Sequence, residues 1–332
     1  MKEVIKTSNA KIILMGEHSV VYNQPAIALP IRNVKTTVKI QSIPGDIQIR
    51  SRYFNGFLND IHSNLLGIKQ LINQTLTTLG KPHYGLLLDI DSQIPAERGM
   101  GSSASTAVAI VRAMYAFFDR PLTKNKLLKT VNISEKIIHG NPSGLDSATA
   151  SADRPIWFKR DGTIKALPIN FNGYLVISDS GIKGKTGEAV NIVKNKLRID
   201  NDSRLLIEKL GELTSQTATA LKDDDSLALG DIMNNAQACL RQLGVSHPAV
   251  EKLIQAANQS GALGSKLTGG GLGGCVISLV SDAQAAENVS AQLRKAGATA
   301  TWIEKIIGVD FSFEDNRQEA WLCPRTYQHC AN

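Results

Sequence analysis

The stretch Ile94-Pro-Ala-Glu-Arg-Gly-Met-Gly-Ser-Ser-Ala-Ser-Thr106 decides how the rest of the chain is read. It follows an apolar strand pattern (Leu86, Leu87, Leu88, Ile90) and opens a run with helical spacing. There Ala104, Val108, Val111, Met114 or Tyr115, and Phe118 recur every three or four residues before Asp119-Arg120-Pro121 ends the run. A strand, a glycine turn and a helix in this order can hold a phosphate. Gly99 and Gly101 let the backbone approach an anion and Ser102 and Ser103 add hydroxyls, while the helix start offers free N–H groups and the positive end of its dipole. Helix-capping serines after a flexible loop would read the same way, so the motif alone leaves two readings open. The chain has no G-x-x-x-x-G-K-[ST] run and no G-x-G-x-x-G turn after its first strand, which excludes a Walker-type loop and argues against a dinucleotide fold.

Working outward, the 332 residues are 42% hydrophobic and 20% charged, which fits a globular protein of two domains and excludes a disordered chain. The longest apolar run, Ala107 to Phe118, is interrupted by Arg112 and too short to span a bilayer; the start Met1-Lys-Glu-Val-Ile-Lys6 has no signal-peptide core. A cytoplasmic protein with no membrane partner is expected. Four cysteines (Cys239, Cys275, Cys323, Cys330) form no C-x-x-C pair, so neither a disulfide framework nor a structural zinc site is indicated. A Cys323, His329, Cys330 metal set is weaker than the alternative of a frayed tail. The formal charge of +7 suits phosphate-bearing substrates and a solvated surface alike, and with aromatics at 5% and no basic cluster among them, no nucleic-acid partner is expected.

Periodicity predicts strands over 10–14, 19–22, 34–40 and 46–50, a helix over 61–79, and, after the glycine turn and its helix, a further helix over 123–138 stopped by Gly140 and Pro142. Strands near 156–158 and 174–178 follow, then helices over 186–196, 203–221, 227–243 and 248–260. The chain closes with strands over 264–267, 275–280 and 299–306 and a helix over 283–296 between the last two. This mixture argues for two α+β domains, residues 1–170 and 171–332, with the cleft between them as the default site.

Three further segments carry chemistry. In Ala10-Lys-Ile-Ile-Leu-Met-Gly-Glu-His-Ser-Val-Val-Tyr22, Lys11, Glu17 and His18 crowd an otherwise apolar strand and a Gly16 turn. A solvated strand lysine and a Glu17-His18 turn pair are the plain alternative; as function, Lys11 supplies charge to a phosphate or a neighbouring carboxylate. In Ser134-Glu-Lys-Ile-Ile-His-Gly-Asn-Pro-Ser-Gly-Leu-Asp-Ser147, Glu135 lies near a helix end and the Asn141-Pro142-Ser143-Gly144 turn presents Asp146. Two such carboxylates can divide the work, one on a metal and one at a hydroxyl proton, or Glu135 is a surface residue and Asp146 a helix cap. The third, Gly264-Ser-Lys-Leu-Thr-Gly-Gly-Gly-Leu-Gly-Gly-Cys-Val276, places glycines between two apolar strands beyond what a hairpin needs, for close approach to a ligand or another loop.

Read together and in this order, these segments resemble the GHMP kinases, over most of the chain. The pairing of Lys-Ile-Ile-Leu-Met-Gly-Glu-His-Ser-Val-Val with His-Gly-Asn-Pro-Ser-Gly-Leu-Asp is most similar to those members whose acceptor is mevalonate. The resemblance implies a two-domain α+β fold with the active site in the interdomain cleft, ATP and Mg²⁺ as cofactors, phosphorylation of the mevalonate C5 hydroxyl, and a homodimer. It also implies roles. Asp146 would accept the hydroxyl proton, with Lys11 the cation beside it that stabilises the attacking oxygen. Ser103 and Glu135 would hold Mg²⁺, while Glu97, Arg98, Gly99, Met100, Gly101, Ser102 and Ser103 wrap the ATP phosphates. Glu17, His18 and Thr186, the last in Asp179-Ser-Gly-Ile-Lys-Gly-Lys-Thr186, would contact the acceptor. One departure stands out: Glu97-Arg98 occupies a place where many members are richer in glycine and alanine. Phosphomevalonate kinase or diphosphomevalonate decarboxylase chemistry is the nearest rival, and a nucleotide sensor without turnover is the rival of another class.

Overall fold

A computed structural model describes residues 2–62, 65–139, 143–306 and 321–322. They gather into two compact units that interleave along the chain. The first takes Lys11 and the residues before it, Pro30–Ala96 and Met100–Asp153; the second takes Ile12–Leu29, Glu97–Gly99 and the chain from Arg154 on. The last changeover, after Asp153, lies before the domain boundary expected near residue 170.

In the first unit the start of β1 (Glu3–Met15) leads to the later part of β2 (Ala26–Ser42). There β2 runs antiparallel to β5 (Leu86–Ser92), from Thr36 opposite Ser92 to Ser42 opposite Leu86. β3 (Gln48–Ser51) lies parallel to β5 and antiparallel to β4 (Asn55–Phe57). The period-2 pattern of a half-buried strand shows in β5, where Leu88 and Ile90 are buried and Asp89 and Asp91 exposed. Four helices accompany these strands: α1 (Leu66–Leu79), α2 (Ser102–Phe117), α3 (Lys124–His139) and the short α4 (Leu145–Ala150). Twelve of the sixteen residues of α2 are buried, so it is the central helix, packed by α1, α3, α4 and β5. Val108, Val111 and Met114 of α2 share one core with Val38, Ile40, Ile49, Leu71 and Leu88. The strand–turn–helix expectation for Leu86–Phe118 holds.

In the second unit, β8 (Gly173–Asp179) lies between β11 (Ala300–Ile306) and β10 (Cys275–Val280), and β9 (Gly264–Thr268) pairs with the far side of β10, all antiparallel. Cys275 therefore faces Asp179 on one side and Thr268 on the other. Ala26–Ala28 of β2 pair with β6 (Ile156–Phe158), and β7 (Thr163–Ala166) follows β6 and takes β12 (Trp321–Leu322). Helices α5 (Thr186–Ile199), α6 (Asn201–Asp223), α7 (Ser226–Gln242), α8 (Pro248–Gln259) and α9 (Ala283–Lys295) complete it, α8 and α9 packing on the four-stranded sheet. Asp200, Asp225 and Asp282 cap α6, α7 and α9 through side-chain oxygens that accept backbone N–H bonds, which sets where those helices begin.

The architecture is α+β, as expected, with local corrections. The strand predicted over 19–22 is a 3₁₀ helix, Ser19–Tyr22, because Gly16 at φ 105° and His18 at φ 61° turn the chain out of extended geometry. The helix predicted from residue 61 begins at Leu66, and Ile61 is a core residue ahead of it. Gly140, Asn141 and Pro142 of the predicted turn, and Cys323, His329 and Cys330, lie outside the described residues. Among the described residues no helix is long and apolar enough to cross a membrane, Cys239 and Cys275 are buried free thiols, and no group of three or more His, Cys, Asp or Glu is arranged to hold a metal.

Candidate active site

Lys11 is the point where β1 leaves the first unit, and its backbone N–H donates to the Met100 carbonyl at 3.0 Å. Its side chain is almost wholly buried yet charged, and the charge is met by Asp146, with Nζ to Oδ1 at 2.7 Å. The solvated-lysine alternative is thereby excluded. Gly101 makes the arrangement possible: it caps α2 at φ 71°, and a Cβ there would lie 2.6 Å from Lys11 Cγ. Asp146 is not a helix cap either. Gly144 holds that position at the start of α4, and Asp146 sits two residues further in, partly exposed and turned to Lys11.

Ser103 and Glu135 meet beside this pair. With Gly101 capping α2 and no side chain capping it, the serines are free of that duty: Ser103 Oγ donates to Glu135 Oε1 at 3.1 Å, and Ser102 Oγ reaches the Ile94 carbonyl at 3.5 Å. Glu135 is 4% exposed, so the surface-helix alternative fails as well. Burial, reinforced by the negative charge of Asp146, pushes its carboxyl up to about 7, while the Ser103 hydrogen bond and the Lys11 charge pull the other way. The Ser103 hydroxyl and the Glu135 carboxyl are oxygen ligands of the kind that fit Mg²⁺, an ion that takes few protein oxygens and leaves room for water and phosphate.

In the second unit the Gly16 turn delivers Glu17 and His18 into the interior. Glu17, 1% exposed, forms an ion pair with Lys266 of β9, which is 0% exposed and also donates to the Leu267 carbonyl at 2.7 Å. Burial lowers the Lys266 pKa and Glu17 opposes the shift. Sequence reasoning passed over Lys266, since a strand lysine reads as solvated; the available signal was its place between Ser265 and Leu267 in a strand of otherwise small or apolar residues.

His18 Nε2 donates to the Gly270 carbonyl at 2.9 Å, which sets the tautomer of a neutral ring. Burial holds its pKa down at about 4, helped by the charge of Lys266 and opposed by the Gly270 bond. The unfolded chain takes up this proton below about pH 6.5 and the folded one only near pH 4, so the stabilisation is complete above pH 6.5 and is lost as pH falls through that window. Its size is on the order of 3 kcal/mol. Urea unfolding at pH 7, 5.5 and 4.5 is expected to show this slope in the wild type and a flatter one in His18→Asn; an unchanged slope in the variant would assign the effect to other groups.

Thr186, exposed at the first turn of α5, lies against the second glycine cluster: a Cβ on Gly270 would be 2.7 Å from Thr186 Cα. Gly270 thus touches both His18 and Thr186, and the glycines serve close approach to a neighbouring segment, one of the two uses expected of them. Thr268 Oγ1 binds the Ile13 backbone from both sides, accepting from its N–H and donating to its carbonyl, each at 3.0 Å. Glu97 and Arg98 are committed to protein partners. Glu97, at φ 60°, pairs with Lys183 at 2.6 Å, and Arg98 Nε pairs with Asp179 Oδ1 at 2.9 Å.

Residues 67–153 match the GHMP kinases N terminal domain and residues 217–299 the GHMP kinases C terminal family. A mevalonate kinase of Pyrococcus furiosus is 32% identical over 322 residues, covering 90% of this chain and 94% of that protein. The structure resembles that of L. major mevalonate kinase in complex with R-mevalonate, with a TM-score of 0.80 and 26% identity over 93% of this chain and 97% of that one. It also resembles mevalonate kinase from methicillin-resistant Staphylococcus aureus MRSA252, with a TM-score of 0.72 and 30% identity over 93% and 100% of the two chains. With both domain families matched in order and relatives of this similarity spanning nearly the full length, the chain belongs to the GHMP kinases, in the mevalonate kinase group.

Proposed function

We propose that this protein transfers the γ-phosphoryl group of ATP to the C5 hydroxyl of mevalonate, giving 5-phosphomevalonate and ADP. The observation that carries the reading is the Lys11–Asp146 pair at 2.7 Å, a buried cation holding a partly exposed carboxylate next to the Ser103–Glu135 pair. Phosphoryl transfer has a loose transition state, so the side chains mainly position reactants and balance charge. In this reading Asp146 orients the acceptor hydroxyl and takes its proton, and Lys11 Nζ stabilises the oxygen that attacks. Glu97, Arg98, Gly99, Met100, Gly101, Ser102 and Ser103 form the loop around the ATP phosphates. Ser103 and Glu135 would hold Mg²⁺, which neutralises phosphate charge when bound.

Glu17, His18 and Thr186 contact the acceptor. Lys266 is committed to Glu17 and the Leu267 carbonyl, and His18 is neutral, so this cluster suits hydroxyl groups better than the added negative charge of a phosphate on the acceptor. That favours the unphosphorylated acceptor over phosphomevalonate. A coupled ADP-release assay with mevalonate, phosphomevalonate, galactose and homoserine tests the assignment: mevalonate is expected to give the highest kcat/KM, and preference for another acceptor would reject it.

Glu135→Gln keeps the size of the side chain and removes its charge. The Mg²⁺ concentration for half-maximal rate is expected to rise by about tenfold or more, a loss typical of weakening one metal ligand. A shift in the mevalonate KM alone, with an unchanged Mg²⁺ requirement, would move Glu135 out of the metal site.

A further inference from the structure

The Glu97-Arg98 dipeptide that departs from the family pattern is the most heavily tied part of the phosphate loop. The Arg98 guanidinium engages both carboxylate oxygens of Asp179 at the end of β8, Nε lying 2.9 Å from Oδ1 and 3.1 Å from Oδ2. Its Nη2 donates to the Gly181 carbonyl at 3.1 Å, and the Gly181 N–H donates in turn to Asp179 Oδ1 at 2.9 Å. The Arg98 carbonyl accepts from the Cys275 N–H at 3.1 Å, and Cys275 is the β10 residue that faces Asp179 in the sheet register. The residue before it is held too, the Gly184 N–H donating to the Glu97 carbonyl at 2.8 Å. Glu97, Arg98 and these partners all lie in the second unit, and both charged side chains are mostly buried, at 16% and 8% exposure. A charge-assisted fork shielded from water is stronger and more directional than the exposed Lys183–Glu97 pair next to it.

The segment gripped from the other side, Ser180–Lys185, leads directly into Thr186. One fork therefore ties the loop assigned to the nucleotide to the segment that carries an acceptor contact. We propose that Arg98 and Asp179 are positioning residues that hold the Glu97–Gly99 part of the phosphate loop and the Ser180–Thr186 segment in one geometry, so that nucleotide and acceptor binding are tuned together. Neither side chain is required to touch a reacting atom. The assignment rests on the reading of the two segments given under Proposed function, and its test separates the two.

Arg98→Lys keeps the charge but loses the planar fork, and Asp179→Asn keeps the shape but loses the charge. Each variant is expected to lower kcat/KM for ATP and for mevalonate together by about tenfold to a hundredfold, the scale of a small misplacement of reactants. The double variant is expected to fall no further than the worse single one, since both break the same contact. ATP binding measured by calorimetry without acceptor is expected to weaken in both variants, a readout independent of which acceptor is used. Thermal unfolding distinguishes a merely structural role, which would lower Tm while kinetic constants taken well below Tm stay within about twofold of wild type. That result, or losses that simply multiply in the double variant, would overturn the proposal. Failure of the wild type to phosphorylate mevalonate, with weakened ATP binding in the variants, would reject the acceptor assignment and leave the fork standing.

Discussion

Asp146→Asn is expected to lower kcat by about two to four orders of magnitude, the range for removing a positioned proton acceptor, while ATP affinity stays close to wild type. The expectation follows from geometry. The substitution keeps the shape of the side chain and its place in the first turn of α4 but takes away the charge that Lys11 Nζ meets at 2.7 Å. Lys11→Met is expected to fall into the same range, and the double variant to be little worse than either single one, because the two groups act as a unit. Pre-steady-state quench-flow with mevalonate and ATP separates the chemical step from binding and product release. A large loss of ATP affinity in Asp146→Asn, with an intact chemical step once ATP is saturating, would place this carboxylate with the metal instead.

Lys266→Met is expected to destabilise the protein by about 3–5 kcal/mol, the cost of removing one partner of a buried ion pair. Lys266 is fully buried, and both its Glu17 pair and its 2.7 Å bond to the Leu267 carbonyl disappear with it. Combining it with Glu17→Gln is expected to recover much of the loss, since no buried carboxylate then faces the methionine. Urea unfolding of the two variants at pH 7 checks both values. Destabilisation by less than about 1 kcal/mol, the scale of an exposed pair, would mean that water reaches the site and that Lys266 does not anchor the Gly16–His18 turn.

The parts of the fold that the sequence made legible are those where local pattern and tertiary need agree. Strand β5, the Gly99–Gly101 turn and helix α2 were readable because period-2 and period-3.6 patterns met at glycines whose backbone no other residue adopts easily. Val20-Val21 misled for the opposite reason: a short apolar run carries no period, and the positive φ of His18 is invisible in a histidine. Lys11, Glu135 and Asp146 stood out in the sequence through their motifs, and the structure gives each a partner that its plain alternative lacks. Lys266 and Asp179 were not. Their partners Glu17 and Arg98 lie 249 and 81 residues away, and no local signal tells a lysine in a strand that it will be buried against a glutamate. The Glu97-Arg98 departure reads locally as a defect in a phosphate loop; only the fold turns it into a buried contact with Asp179 and the Gly181 carbonyl.

The most direct test of the central assignment is the ³¹P NMR spectrum of the product formed by purified protein, ATP, Mg²⁺ and mevalonate. The account predicts a phosphomonoester resonance split by the two C5 methylene protons, appearing in step with ADP and absent over the same time with Asp146→Asn. Release of inorganic phosphate without an ester, or an ester on the C3 oxygen without methylene coupling, would contradict it.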